Sequence, residues 1–297
     1  MNVLVSGAGG LIGSALVPAL ENEGHRVIRL THSEGSSEDT VNWEPSEGRI
    51  DDSRLGDVDV TVHLAGENIM GRWTPEKKRK ILDSRTQGTR LLASRLARME
   101  KKPSAMVCAS ATGYYGDRGD EVLREDSEMG YGFLPQVVRE WERATEPART
   151  ASIRVVNLRF GIVLSPDGGA LGTTLPIFKL GGGGKIGSGE QWWSWVALDD
   201  IVGAILHALR TDSLEGPANV TAPNPLTNTR YTKTLGRVLN RPTFFAVPAA
   251  ATRIAFGEVA DALLLASARV EPAKLQESGY RFLYPELEGA FRHLLNR

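Results

Sequence analysis

The apolar positions of this chain change period repeatedly, and each change marks an element. Val3-Leu4-Val5 is a short β-branched run, after which Leu11, Ile12, Ala15, Leu16, Ala19 and Leu20 recur at helical spacing. Gly24 stops that helix, and Arg26 to Leu30 reads as a second strand, which completes a βαβ unit. Val58 to Gly66 predicts a third strand, and Lys77 to Met99 a helix with Ile81, Leu82, Leu91, Leu92 and Leu96 on its apolar side. Apolar runs at Ala105 to Ser110 and at Ile153 to Leu164 flank a helical stretch around Gln136 to Thr145. A further helix, capped by Asp199 or Asp200, carries Ile201, Val202, Ile205, Leu206 and Leu209. Alternation of this kind predicts an α/β fold, a doubly wound parallel sheet covered on both faces. After Thr221-Ala222-Pro223-Asn224-Pro225 it stops, and short helices punctuated by Pro242, Pro248, Pro272 and Pro285 follow. The expected division is a large domain over 1–225 and a smaller C-terminal, substrate-side lobe over 226–297.

Gly7, Gly10 and Gly13 fall at the first strand-to-helix turn with the spacing G-x-x-G-x-x-G. Glycines there permit a tight bend, close approach of the backbone to a pyrophosphate at the helix N-terminus, and close helix-to-strand contact. At the first turn of an N-terminal βαβ unit this spacing predicts a Rossmann-type dinucleotide site. The second strand ends Leu30-Thr31-His32-Ser33, with no carboxylate before Glu34. An NAD-selective site places Asp or Glu there for the ribose hydroxyls, so hydroxyls and an imidazole favour NADP over NAD. His32 as a merely solvated loop residue is the plainer alternative.

Composition narrows the partners. The chain has 297 residues, 41% of them hydrophobic and 24% charged, with a formal net charge of -1. No basic excess invites nucleic acid and no polybasic cluster suggests a membrane surface, so an unknown small-molecule substrate is expected. The single cysteine, Cys108, sits in an apolar run and reads as a buried strand residue. The five histidines are scattered without ligand spacing, so no metal is expected. With no secretory signal and no span-length apolar stretch, the expected compartment is the cytoplasm. Oligomeric state stays open.

The motifs "SGAGGLIG", "HLAGENI", "ILDSR", "SATGYYGDRGDEVLREDS", "LRFGIVLSPDGGALGTTLPIFKLGGGGKIGSGEQWWSWVALDD" and "SGYRFLYPEL" cover nearly the whole chain. Together they resemble an atypical extended short-chain dehydrogenase/reductase, the group of nucleoside-diphosphate-sugar epimerase-like "epimerase family proteins". The resemblance implies cofactor contacts along Gly7, Gly9, Gly10, Leu11, Ile12 and Gly13, at Thr31, His32 and Ser33, at Leu64, Ala65 and Gly66, at Arg85, and at Ser110, Arg159, Gly161, Ile162 and Val163. His32 stands where the group commonly has Arg, and Ala197 where relatives often have His. The substrate implied is nucleotide-sugar-like.

Typical members move a proton with a Tyr whose pKa is depressed by a Lys four residues on. None of the six tyrosines here has Lys at that spacing, and Phe133 and Val137 fall where the pair belongs. Substitutes are Ser110 or Thr112 to hold a carbonyl and Tyr114 or Tyr115 as acid. Two functions follow: an NADP-dependent oxidoreductase or epimerase-like enzyme with a non-standard site, or a catalytically inactive NADP(H)-sensing regulatory protein. The stretch 171–197, with Gly181 to Gly184 and then Trp192, Trp193 and Trp195, is expected to form a lid or pocket wall over the substrate. The alternative is that these tryptophans are core residues of the small lobe.

Overall fold

A computed structural model describes residues 1–32, 38–51 and 55–297. The large sheet is built from β1 (Asn2–Ser6), β2 (Arg26–Thr31), β3 (Thr40–Glu44), β4 (Arg49–Ile50), β5 (Val60–His63), β6 (Ala105–Ala111), β8 (Arg154–Phe160) and β13 (Gly216–Val220). Its order is β13-β8-β6-β5-β1-β2-β3-β4, parallel throughout except for the β3–β4 pair. The chain runs outward through β2 to β4 and returns to lay β5 on the other side of β1. That reversal opens a crevice at the carboxyl edge between β1 and β5, where open α/β sheets bind ligands. The α/β class and the large parallel sheet expected from the alternating pattern are therefore present.

The helices divide into the two covering layers of a doubly wound fold. α1 (Leu11–Asn22) packs with α6 (Leu198–Arg210), and α2 (Pro75–Arg98) packs with α3 (Phe133–Arg143) and α4 (Glu146–Thr150). Thr74 caps α2 by accepting the Lys77 amide at 3.1 Å, which satisfies one of the orphan donors of the first turn. α6, in contrast, has no side-chain cap: Ala197 holds the cap position and Asp199 and Asp200 lie in the first turn. Asp200 instead accepts the Leu283 and Tyr284 amides at 2.7 and 3.0 Å, fastening the C-terminal segment to the sheet domain. The sequence reading of Asp199 or Asp200 as a cap is corrected accordingly.

Two further differences have local causes. β3 and β4 are not among the elements expected from the sequence, because Thr40 to Glu44 carries no continuous apolar run: only Val41 and Trp43 are apolar, and they alternate inward and are buried against the sheet. The run Ile153 to Leu164 divides at Gly161 into β8 and β9 (Ile162–Ser165), since a Cβ at Gly161 would lie 2.5 Å from the Ser194 carbonyl. β9 leaves the large sheet and pairs with β12 (Trp195–Ala197), and the short β7 (Val122–Leu123) also lies outside the large sheet. Between β9 and β12 run α5 (Gly169–Lys179), β10 (Gly184–Ile186) and β11 (Trp192–Trp193).

A second hydrophobic cluster joins this stretch to the C-terminal region. Leu171, Leu175, Phe178, Trp193 and Trp195 pack with Tyr231, Leu235, Leu287 and Phe291. A third, around Trp73, Ile81, Leu134, Val137 and Val259, brings the C-terminal region across to α2 and α3. No described helix is long and apolar enough to cross a membrane.

Candidate functional site

The glycine turn separates into structural and open positions. Gly7 has φ +71°, and a Cβ there would lie 2.8 Å from the Ala65 amide nitrogen. A Cβ at Gly13 would lie 2.2 Å from the Gly7 carbonyl, so the close helix-to-strand contact admits glycine only. Gly9 and Gly10 are exposed, and a Cβ on Gly9 meets nothing within 4 Å. α1 begins at Gly10 with no side-chain cap and no acidic residue in its first turn. Its orphan N–H groups and the positive end of its dipole face open space, which suits a pyrophosphate. Leu11 is covered from the other side by Gly168, whose Cβ would come within 3.3 Å of the leucine.

The strand opposite is tied to this turn through a buried histidine. His63 closes β5, with Nδ1 2.6 Å from Ser6 Oγ and Nε2 2.9 Å from Thr89 Oγ1. Ser6 Oγ also accepts the Leu64 and Ala65 amides at 3.2 and 3.3 Å, so its own O–H is left to donate to Nδ1. Nε2–H then donates to Thr89, and the ring is neutral. Burial pushes the His63 pKa down to about 4. Leu64, Ala65 and Gly66 thus form a positioned rim opposite the glycine turn. Arg85 closes that rim: its Nη1 donates to the Glu67 and Ile81 carbonyls at 3.0 and 3.2 Å, and its guanidinium lies 5.0 Å from the Trp141 ring.

At the end of β2, Thr31 is half-buried and His32 is exposed, while Ser33 lies outside the described residues. The imidazole leans on Trp43, ring centres 5.6 Å apart, and its Nδ1 sits 3.6 Å from a Glu44 carboxylate oxygen. The expectation of a strand end free of carboxylates is corrected here. β3 runs parallel beside β2 with Thr31 against Asn42, which brings Glu44 beside His32 although twelve residues separate them in sequence.

Two of the four candidate catalytic hydroxyls, Ser110 and Tyr115, and the ring of a third, Tyr114, belong to a buried network around an ion pair. Arg159 makes a two-pronged contact with Glu142, Nε to Oε1 at 2.8 Å and Nη2 to Oε2 at 2.9 Å. Ser110 donates to Glu142 at 2.6 Å. Tyr115, with no exposed surface, donates to Asn219 at 2.8 Å and accepts from Arg159 at 3.0 Å. The Tyr114 ring lies 3.6 Å from the guanidinium. Burial pushes the Tyr115 hydroxyl up to about 12, against the opposing pull of Arg159. Ser110 and Arg159 are therefore interior groups whose donors are directed into this network, Ser110 with 3% and Arg159 with 2% of its surface exposed. Gly161 is likewise enclosed by Ser194 and Thr221, whereas Ile162 faces the cleft described next. Glu142 and Asn219, which hold the network, carried no spacing signal in the sequence.

Thr112 is placed differently. It lines a cleft of about 350 Å³ at the carboxyl end of β6 and the start of β9 and donates to the Phe160 carbonyl at 3.3 Å. Trp192 and Trp193 line the same cleft as a wall, facing Trp73 and Phe133. Trp195 does not: it has no exposed surface, and its indole N–H donates to the Asn224 carbonyl at 3.3 Å. The substrate assignment for Trp195 is corrected to a core role. Gly184 is equally structural, since a Cβ there would lie 1.9 Å from the Phe245 carbonyl across the β10 pairing.

Comparison with known proteins agrees with this geometry. The NAD dependent epimerase/dehydratase family matches residues 3–221, and a domain of unknown function, DUF1731, matches residues 247–294. An epimerase family protein of Mycobacterium bovis is 40% identical over 296 residues, covering 99% of this chain and 98% of the relative. The crystal structure of human epimerase family protein SDR39U1 with NADPH superposes with a TM-score of 0.93 at 34% identity, over 100% of this chain and 99% of that one. A UDP-glucuronic acid 4-epimerase from Bacillus cereus, solved with UDP-glucuronic acid and NAD, shares the fold at 17% identity and a TM-score of 0.77, covering 100% and 98%. With an open glycine turn, a β5 rim and a DUF1731 region closing an aromatic cleft, the chain belongs to the NAD dependent epimerase/dehydratase family, among its epimerase family proteins.

Proposed function

We propose that the protein binds NADP(H) across the switch point between β1 and β5 and uses it to reduce or oxidise a small molecule held in the adjacent cleft. The observation that carries this reading is the N-terminus of α1, which is uncapped, free of acidic side chains, and opens beside exposed Gly9 and Gly10. The NADPH bound by the human relative supports the phosphorylated cofactor. His32 is the residue offered to its 2′-phosphate. When bound, the cofactor supplies the hydride. Of the four candidate hydroxyls, Thr112 alone lines the cleft, so it is the group assigned to hold the substrate oxygen, by turning its O–H from the Phe160 carbonyl, 3.3 Å away, toward the ligand.

A second reading, an NADP(H) sensor without turnover, draws on one observation. The family's acid is missing, and the tyrosine at Tyr115 is buried and held by Asn219 and Arg159. Two measurements separate the readings. Gly10→Val is expected to abolish NADPH-dependent quenching of tryptophan fluorescence while the protein still melts cooperatively within a few degrees of wild type, because its Cβ would press on the Gly7 carbonyl at 3.3 Å, a tight contact that a small local shift relieves. Undiminished quenching would remove the cofactor assignment. NADPH consumption with a carbonyl panel, lost in Thr112→Val while NADPH binding is kept, supports the enzyme; binding without any consumption supports the sensor.

A further inference from the structure

The cleft has a chemistry that its fold relatives' substrates do not match. Its walls are aromatic, with Trp73 and Phe133 packed edge to face at 5.0 Å on one side and Trp192 on the other. Its charged lining residues are Asp117, Glu258 and Asp261, and no Lys or Arg lines it among the described residues. Two of the cations nearby are paired. Lys78 pairs with Glu258 at 2.5 Å and Arg253 pairs with Asp261 at 2.9 Å, whereas the Arg269 guanidinium, 4.5 Å from the Trp192 ring centre, has no carboxylate partner among the described residues and its Nε makes no hydrogen bond. Asp117 has no cationic partner; its Oδ1 accepts the Ser267 and Gly119 amides at 3.1 and 3.4 Å. After pairing, the Asp117 carboxylate on the lining and the Arg269 guanidinium against Trp192 remain, so the cleft is close to neutral.

A nucleoside diphosphate bound here would bring its own negative charge to a lining that offers three carboxylates and, among the described residues, no Lys or Arg of its own. Phosphate sites are built the other way, from Arg, Lys or helix N-termini. At about 350 Å³ the volume lies at the small end of ligand pockets, a size that suits a body of one or two rings. Resting on the hydride-transfer reading above, we infer that the substrate is an uncharged carbonyl compound, or the corresponding alcohol, with an aromatic or alicyclic body. Its ring stacks between the aromatic walls and its oxygen meets Thr112. In the reducing direction the carbonyl carbon gains hydride from the nicotinamide, the carbon–oxygen π bond breaks, and the oxygen takes a proton from water.

The test is a set of binding titrations followed by tryptophan fluorescence, each run with and without NADPH. The probes are UDP-glucose, UDP, cyclohexanone and 4-phenyl-2-butanone. Wild type is expected to bind a neutral ketone and to bind UDP-glucose about tenfold more weakly or not at all. Glu258→Gln frees Lys78, 5.1 Å from the Phe133 ring, and is expected to raise affinity for UDP and UDP-glucose about tenfold while leaving ketone affinity within about twofold. UDP-glucose binding at least as tightly as the ketones, or binding of neither ketone, overturns the inference. Loss of NADPH binding would strike the cofactor reading, and the comparison of probes without NADPH would still stand.

Discussion

Replacing Glu142 by Leu should unfold the protein at a markedly lower temperature, and the size of the effect follows from where its partner sits. Arg159 has 3% of its side chain exposed and Glu142 has 14%, so the guanidinium has no route to water when the carboxylate is lost. Two charge-assisted bonds of 2.8 and 2.9 Å vanish together, and Ser110 loses its acceptor. Breaking one side of a buried pair costs about 3–5 kcal/mol, most of it the penalty of an uncompensated buried charge. For a chain of this size each kcal/mol corresponds to roughly 2 °C, so a fall in Tm of about 6–10 °C is expected. The double variant Arg159→Met with Glu142→Leu removes both charges and should recover most of that loss, because a packed apolar pair replaces an ion pair at little cost. Urea denaturation read by tryptophan fluorescence, with differential scanning fluorimetry beside it, measures all three proteins. A single variant within about 1 kcal/mol of wild type, or a double variant no more stable than the single, would refute the reasoning.

His63 sets a pH dependence. Its folded pKa of about 4 lies below the ordinary 6.5, so the unfolded chain takes up a proton that the native state refuses between those values, and stability falls as pH drops through that window. Between pH 7 and 4.5 this amounts to about 2–3 kcal/mol, and His63→Asn should lose about that much of the pH dependence in urea midpoints; an unchanged slope would count against the buried neutral ring. Gly13→Ala should lower thermal stability by several degrees and weaken cofactor binding together, because its Cβ would meet the Gly7 carbonyl at 2.2 Å; a stable variant that still binds would be the contrary result. Glu44→Gln should tighten NADPH severalfold and leave NADH unchanged in calorimetric titrations, since the carboxylate 3.6 Å from His32 competes with the 2′-phosphate; equal changes for both cofactors would separate His32 from the phosphate.

The division between what the residues reveal locally and what folding assembles is visible position by position. Strand β1, the glycine turn and α1 were readable because their signals lie within about twenty contiguous residues: a β-branched run, three glycines at fixed spacing, and apolar positions at helical period. The alternation that follows was enough for a parallel doubly wound sheet, because short apolar runs separated by helices have few other ways to bury both faces. The absence of a Tyr–Lys pair was equally legible, being a matter of spacing alone. What tertiary structure decided was which of several chemically equivalent residues faces a ligand. Trp192 and Trp195 lie three residues apart in one motif, yet one lines the cleft and the other is core, because β11 and β12 pair with different strands. Ser110 and Thr112 differ in the same way: one donates to Glu142 from across α3, and the other sits just past the end of β6. Glu44 reaches His32 only through the parallel pairing of β2 and β3, and Asp200 holds Leu283 and Tyr284 from more than eighty residues away. Local sequence determines period and turn chemistry, since these depend on neighbours along the chain; the partners of a charge or hydroxyl depend on neighbours in space, and those are set by the order of the strands.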